Sequence, residues 1–408
     1  MDARQHFPAL EREVYGKPLV YFDNAATSQR PRSVLELQQK LSVEACGNIH
    51  RALHRLAADA TEAYEAGREA ARAFIGAPAR ENLILTSGTT AAINLVASCF
   101  CQKFVGSGDQ VVVSEAEHHS NIVPWQLACE RAGARIAVLP VDEDGELSPE
   151  GLEAMLRDAG GRIKLVAVAH ISNVLGIINP VKEIVTVAHR YGVPVLVDGA
   201  QGILHERVDV QALDCDFYVF SGHKIYAPTG IGVLYGKREL LEAMPPYMGG
   251  GEMIETVSFE KTSFAPLPLK FEAGTPNFVA GACLKPALEL AGEMMQDAEL
   301  QNNQEAMKNF LQEELSRIEG LRLYGTPADP ARKVPLLSFS VEGAHAADLA
   351  QILDKMGMAV RSGQLCAEPL LRRYGQTAIL RASLAPYNTL GECEIFIAAL
   401  CRAIKMLR

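Results

Sequence analysis

The chain has 408 residues, 48% hydrophobic and 22% charged, with a formal net charge of −10. These proportions belong to a folded globular protein and exclude disorder or low complexity as its main theme. The acidic balance disfavours nucleic acid or an anionic membrane as a main partner, and no apolar run reaches the roughly 18 residues a spanning helix needs.

The first stretch, Met1 to Leu10, is charged and mixed and lacks the apolar centre of a signal peptide. Nine cysteines are scattered along the chain, an odd number with no CxxC pair and a single CxC at Cys99 and Cys101. Free thiols in a reducing, cytoplasmic compartment fit that pattern better than a disulfide framework. Helices are predicted over 33–45 and 54–75, the second rich in helix formers and stopped by Gly76. Seven candidate strands follow at 83–85, 110–114, 135–139, 164–169, 194–197, 216–220 and 232–235, alternating with helical patterns. Continuous apolar runs such as Leu165–Ala169 suit strands covered on both faces of a mostly parallel sheet. The fold class expected is α/β, a three-layer domain over 17–290. A long polar helix is predicted at 295–320, then a strand at 333–341, a helix at 346–356, a short strand at 358–361 and a closing helix at 391–406. These make a smaller α+β domain, formed by 1–16 plus 291–408. A site at the boundary, beyond the carboxyl ends of the strands, is the natural expectation.

Four places carry candidate chemistry. At Thr86-Ser-Gly-Thr89-Thr90 a strand ends and a helix begins, so free N–H groups and hydroxyls make an anion site. An ordinary N-cap fits the same residues. Asp198 directly follows an apolar strand, where a carboxylate is costly unless paired, although capping of the next helix is a common alternative. Lys224 follows a strand and the Ser221-Gly-His223 turn. Most lysines are solvated, but burial there would depress the amine's pKa and make it a nucleophile toward a carbonyl. Cys366 lies between a short strand and a helix start, near Arg361, a setting that activates thiols. A phosphate cradle, an acid for a ring nitrogen and a reactive lysine are together the groups that a pyridoxal phosphate site needs. Neither GxGxxG nor GxxxxGK[ST] is present, which argues against a nucleotide-binding protein.

With these residues in view the sequence resembles fold-type I pyridoxal-phosphate enzymes of the class V aminotransferase family. More narrowly it is similar to the group II cysteine desulfurases, the SufS-like cysteine desulfurase/selenocysteine lyase enzymes. The likeness runs from Tyr21-Phe-Asp-Asn-Ala-Ala-Thr27 to the last helix. It includes Asn48-Ile-His-Arg-Ala-Leu-His54, Glu117-His-His-Ser-Asn-Ile-Val-Pro-Trp125, His170-Ile-Ser-Asn-Val-Leu-Gly176, Phe220-Ser-Gly-His-Lys224, Phe271-Glu-Ala-Gly-Thr-Pro-Asn277, Arg361-Ser-Gly-Gln-Leu-Cys-Ala367 and Arg381-Ala-Ser383.

The resemblance implies roles by matched position. Lys224 holds pyridoxal 5'-phosphate covalently, Asp198 pairs with its ring nitrogen and Gln201 with its ring hydroxyl. His118 stacks on the ring and helps move protons, with His119 as its neighbour. Thr89, Thr90, Ser221 and His223 hold the phosphate, and Thr275 arrives from the second subunit of a homodimer. Asn173 and Arg381 bind the substrate carboxylate, with Arg361 and Ala26 also at the substrate. Arginine suits a carboxylate because its planar fork matches two oxygens. Cys366 takes sulfur from L-cysteine, leaving L-alanine and a persulfide. The sulfur then passes to an acceptor such as a SufE-like or scaffold carrier for iron–sulfur assembly, and selenocysteine is a second substrate. No metal is implied. Gln364-Leu365 stands where many members carry histidine, and Ser87 where arginine is common. The glycine-rich Gly249–Ser258 segment resembles the family's hairpin near the dimer site. A β-lyase, epimerase or aminotransferase would share Lys224 and Asp198, so Cys366 is the discriminating residue.

Overall fold

The structure, a computed structural model, describes residues 2–50 and 53–408, so Arg51 and Ala52 of the Asn48–His54 signature lie outside the described residues. Seven strands form one sheet in the order Leu83–Thr86, Gly232–Gly236, Phe217–Ser221, Val195–Asp198, Ile163–Ala169, Gln110–Ser114, Arg135–Leu139. Gly232–Gly236 runs antiparallel to both neighbours and the other pairings are parallel. Each strand matches its expected position to within a residue or two.

Alternation explains why these strands are apolar throughout. Val166, Val168, Val195, Val197, Tyr218 and Phe220 face one core, while Leu165, Ala167, Leu196, Phe217 and Val219 face another. Helices cover both faces, so in the central strands side chains leave water whichever way they point, whereas the edge strand Arg135–Leu139 keeps Arg135 and Val138 exposed. The helix Thr89–Phe104 buries Ile93, Val96 and Phe100 on one side. On the other, Arg55–Phe74 and Leu284–Gln296 bury Tyr64, Ala71, Leu284 and Leu288. This is the α/β three-layer architecture expected.

A second sheet of four antiparallel strands has the order Leu321–Tyr324, Leu336–Val341, Ile379–Ser383, Arg361–Gly363. Helices Ala298–Ser316, Ala346–Lys355 and Leu390–Leu407 pack their apolar stripes on it. Val20 and Phe22 join this smaller core, through the parallel pairing of Val20–Tyr21 with Met358–Ala359, whereas Phe7 and Leu10 pack in the larger one.

Several expectations need correction. The polar helix predicted over 295–320 is the single helix Ala298–Ser316, shorter at both ends; residues 295–296 close the preceding helix Leu284–Gln296, and Asp297, whose carboxylate accepts from Glu299 and Leu300 N–H, caps the new one. The strand predicted at 358–361 is two strands in different sheets, Met358–Ala359 and Arg361–Gly363. Strands Leu321–Tyr324 and Ile379–Ser383 were not foreseen, being short and without a clear alternation.

Candidate active site

The parallel strands end along one edge of the large sheet, and the functional side chains follow from those ends. Asp198 is the last residue of its strand. Ser221 closes the adjacent strand, and the turn Gly222–Lys224 comes directly after it. Thr86 ends a third strand before the helix that begins at Thr89. Gly88 makes that connection with φ 148°, a conformation side-chain-bearing residues avoid. The smaller sheet faces this edge with Arg381 and Arg361, register partners on neighbouring strands.

Between them lies a cavity of about 350 Å³. Lys224, Asp198 and Gln201 line it with His118, Thr89, Thr90, Ser221 and His223. Ala26, Asn173, Arg361, Arg381 and Cys366 complete it from the opposite side. Thr275, expected to serve the second subunit's site, is exposed and does not line this cavity.

Desolvation by the surrounding protein pulls the Lys224 amine down to about 8, with Asp198 opposing and Arg381 adding to the shift. Asp198 is buried and raised by desolvation, while its Oδ1 accepts from Ala200 N–H at 2.9 Å. Gln201 is fixed by donating from Nε2 to Ala25 O at 2.8 Å. His118 Nδ1 accepts from Ser120 N–H at 3.1 Å, so the neutral ring keeps its proton on Nε2. Burial and the neighbouring Lys224 hold His118 at about 4, so the ring is uncharged at neutral pH. His223 is likewise held at about 4 by burial and Lys224.

The anion end is preorganised. Thr89 N–H donates to Ser221 Oγ at 2.8 Å, and the Thr89 and Ser221 hydroxyls lie 2.9 Å apart. Both hydroxyls sit at the start of the helix Thr89–Phe104, where free N–H groups and the helix dipole favour negative charge.

At the other end Arg381 is buried, and desolvation lowers it to about 10. Its Nη1 donates to Asn173 O at 2.8 Å and its Nη2 reaches Asp23 Oδ1 at 3.5 Å, while Nε has no partner among the described residues. Arg361 forks onto the same Asp23 carboxylate, at 2.7 and 3.3 Å. A buried guanidinium that lines a cavity and keeps N–H donors beyond those it has used is a receptor for an anionic oxygen. Asn173 Nδ2 donates one of its two hydrogens to Leu365 O at 2.8 Å, leaving the second for a ligand.

All nine cysteines are free. Cys99, Cys283 and Cys393 are buried, and desolvation pushes each thiol up to about 12. Cys366 instead is exposed at the cavity, on a turn where Leu365 and Cys366 both take left-handed φ of 54° and 55°. That conformation costs about 1–2 kcal/mol per residue.

Two residues of the site lay in quoted motifs without an assigned task. Asp23 pairs with Arg361 and Arg381 from 338 and 358 residues away, a contact that no local pattern reveals. Glu117, fully buried, accepts from Asn121 Nδ2 at 2.7 Å, from Ala169 N–H at 2.9 Å and from Ser114 Oγ, and so sets the turn that presents His118. Burial raises its carboxyl to about 7. A charged residue beside two histidines was the available signal. Among the described residues no cluster has the ligands for a metal ion and no helix is long and apolar enough to cross a membrane.

The family described as aminotransferase class-V matches residues 20–396. A probable cysteine desulfurase of Xylella fastidiosa is 46% identical over 404 residues, spanning 99% of this chain and 95% of its own. A probable cysteine desulfurase of Vibrio cholerae is 44% identical, spanning 100% and 99%. In structure, the cysteine desulfurase CsdA of Escherichia coli superposes with a TM-score of 0.89 at 38% identity, covering 99% of this chain and 98% of that one.

Proposed function

Because this chain belongs to the class-V aminotransferase family and, within it, to the cysteine desulfurases, we propose that the cavity converts L-cysteine to L-alanine and leaves the sulfur as a persulfide on Cys366. The observation that carries this reading is the meeting of Lys224, Asp198 and Cys366, from three separate elements, in one cavity.

The donor set fits pyridoxal 5'-phosphate: an amine near neutrality, a buried carboxylate beyond it and a hydroxyl-lined helix start. When bound, this cofactor supplies an aldehyde for amines and an electron sink for the substrate Cα. Lys224 would hold it, Asp198 would keep its ring nitrogen protonated, and Gln201 would bond its ring hydroxyl. Thr89, Thr90, Ser221 and His223 would take its phosphate. His118, uncharged, would lie against the ring and shuttle a proton through Nε2.

Arg381 would bind the substrate carboxylate through its guanidinium, assisted by Asn173, Arg361 and Ala26. Lys224 then removes the α-proton; an amine of pKa about 8 can both take and return a proton at working pH. The Cys366 thiolate attacks the substrate Sγ. The S–S bond forms as the Cβ–Sγ bond breaks, and Cβ gains a proton. The sum is one thiol plus L-cysteine giving one persulfide plus L-alanine, with no external oxidant.

On this reading a thiol acceptor must collect the sulfur. A SufE-like or scaffold carrier serving iron–sulfur assembly in the cytoplasm is the acceptor proposed, with selenocysteine as an alternative substrate. The chain divides into a cofactor-holding unit within 17–290 and a smaller unit, mainly 291–408, that brings Cys366; the N-terminal segment crosses between them. A homodimer gives exposed Thr275 a cofactor phosphate to reach in the second copy. The hairpin 254–264, with Phe259 fully exposed at its tip, supports such an interface.

The test is mass spectrometry of the holoenzyme after incubation with L-cysteine. The peptide containing residue 366 is expected to gain one sulfur atom while alanine appears. Cys366→Ala is expected to keep the cofactor's absorbance and lose alanine formation. Undiminished alanine formation in that variant would overturn the mechanism.

A further inference from the structure

We infer that His119 is a positioning residue for Cys366: its ring and its backbone clasp the turn that carries the thiol. The inference rests on the desulfurase reading above and deepens it.

The turn passes through two consecutive left-handed residues, Leu365 and Cys366. Neither is glycine or asparagine, so the conformation persists only where the surroundings enforce it. Three hydrogen bonds reach the turn from the larger unit. His119 N–H donates to Cys366 O at 2.7 Å. Glu368 N–H donates to His119 Nε2 at 3.1 Å. Asn173 Nδ2 donates to Leu365 O at 2.8 Å. Two of the three end on His119, one at Cys366 itself and one two residues beyond it.

The adjacent histidines are therefore spent differently. His118 accepts at Nδ1 and turns Nε2 to the cavity. His119 accepts at Nε2 from a backbone N–H and does not line the cavity, so it acts through Cys366 and not on the substrate. The Cys366 side chain is exposed, and packing alone does not fix it. Sulfur transfer needs the two sulfurs close and aligned, and a displacement of about 1 Å can cost roughly a hundredfold in rate. A turn released from the clasp would relax out of the left-handed region and carry the thiol away.

The test compares His119→Gln with His119→Asn in the holoenzyme. Glutamine places a carbonyl oxygen near the position of Nε2 and can accept from Glu368 N–H. Asparagine is one carbon shorter and its oxygen falls short. His119→Asn is expected to lower kcat for alanine formation roughly tenfold, with KM for L-cysteine within about twofold and the cofactor spectrum unchanged. His119→Gln is expected to recover most of that loss. Without substrate, alkylation of Cys366 by iodoacetamide is expected to change in rate in the asparagine variant and not in the glutamine one. Wild-type kcat in His119→Asn, or equal impairment of both variants, would overturn the clasp. A wild-type holoenzyme that makes no alanine from L-cysteine overturns the desulfurase reading instead, and the alkylation contrast then decides the clasp by itself.

Discussion

Lys224 shows how one residue's chemistry is set by where it is put. Desolvation lowers its amine to about 8, against 10.5 for an ordinary lysine. At pH 7 about a tenth of such amines are uncharged, compared with roughly three in ten thousand at the ordinary value. Only the uncharged amine attacks an aldehyde. The apo-protein is therefore expected to take up pyridoxal phosphate faster as pH rises through about 8, and to level off above it. Stopped-flow absorbance would show this, and a rate still climbing near pH 10 would contradict the depressed value. The same residue marks the limit of local reading. Its place after Phe220-Ser-Gly-His suggested a special lysine, but the shift comes first from burial by the packed fold, with Asp198 opposing it and Arg381 adding to it from 26 and 157 residues away. Asp23 is the sharper case, since its motif gave no hint that two arginines would share its carboxylate.

At the scale of elements, close backbone approach decides what the sequence tolerates. The helices Arg55–Phe74 and Phe278–Ala282 touch where Gly67 meets Gly281, and a Cβ at Gly67 would lie 2.0 Å from the Gly281 carbonyl oxygen. Alanine normally strengthens a helix interior by about 1 kcal/mol over glycine. Here overpacking against rigid backbone costs roughly 1–3 kcal/mol or more and outweighs that gain. Gly67→Ala is expected to lower the thermal midpoint by several degrees, and a rise would refute the contact. The central strands of the large sheet were legible because both faces are buried and their apolar runs are nearly unbroken. The break at Asp297 was not, because an Asp within a run of helix formers reads equally as an exposed helical residue or as a cap. Which it becomes depends on how the following helix docks on the smaller sheet.

Over the whole molecule, the site exists only because two cores are held face to face. The seam is a loop, residues 172–177, that leaves the large sheet and is gripped from the smaller one. Ser338 Oγ donates to Val174 O at 2.5 Å, and Val334 N–H donates to Gly176 O at 2.9 Å. The buried Lys333 donates to Leu175 O and, at 2.7 Å, to Gly325 O. Lys333→Met would leave these carbonyls buried without donors, at about 1–3 kcal/mol for each. A lower thermal midpoint is expected, with a raised KM for L-cysteine because the same loop carries Asn173; an unchanged midpoint would dismiss the seam as a source of stability. By itself the sequence determined the three-layer architecture, the places of the large sheet's strands along the chain and the candidate reactive groups, since periodicity and short motifs are local properties of the chain. Only the tertiary structure decided the company those groups keep: the carboxylate shared by two arginines, the left-handed turn under the thiol and the different hydrogen-bond partners of adjacent histidines. Those depend on contacts between residues far apart in the chain, whose geometry is fixed when the two cores pack.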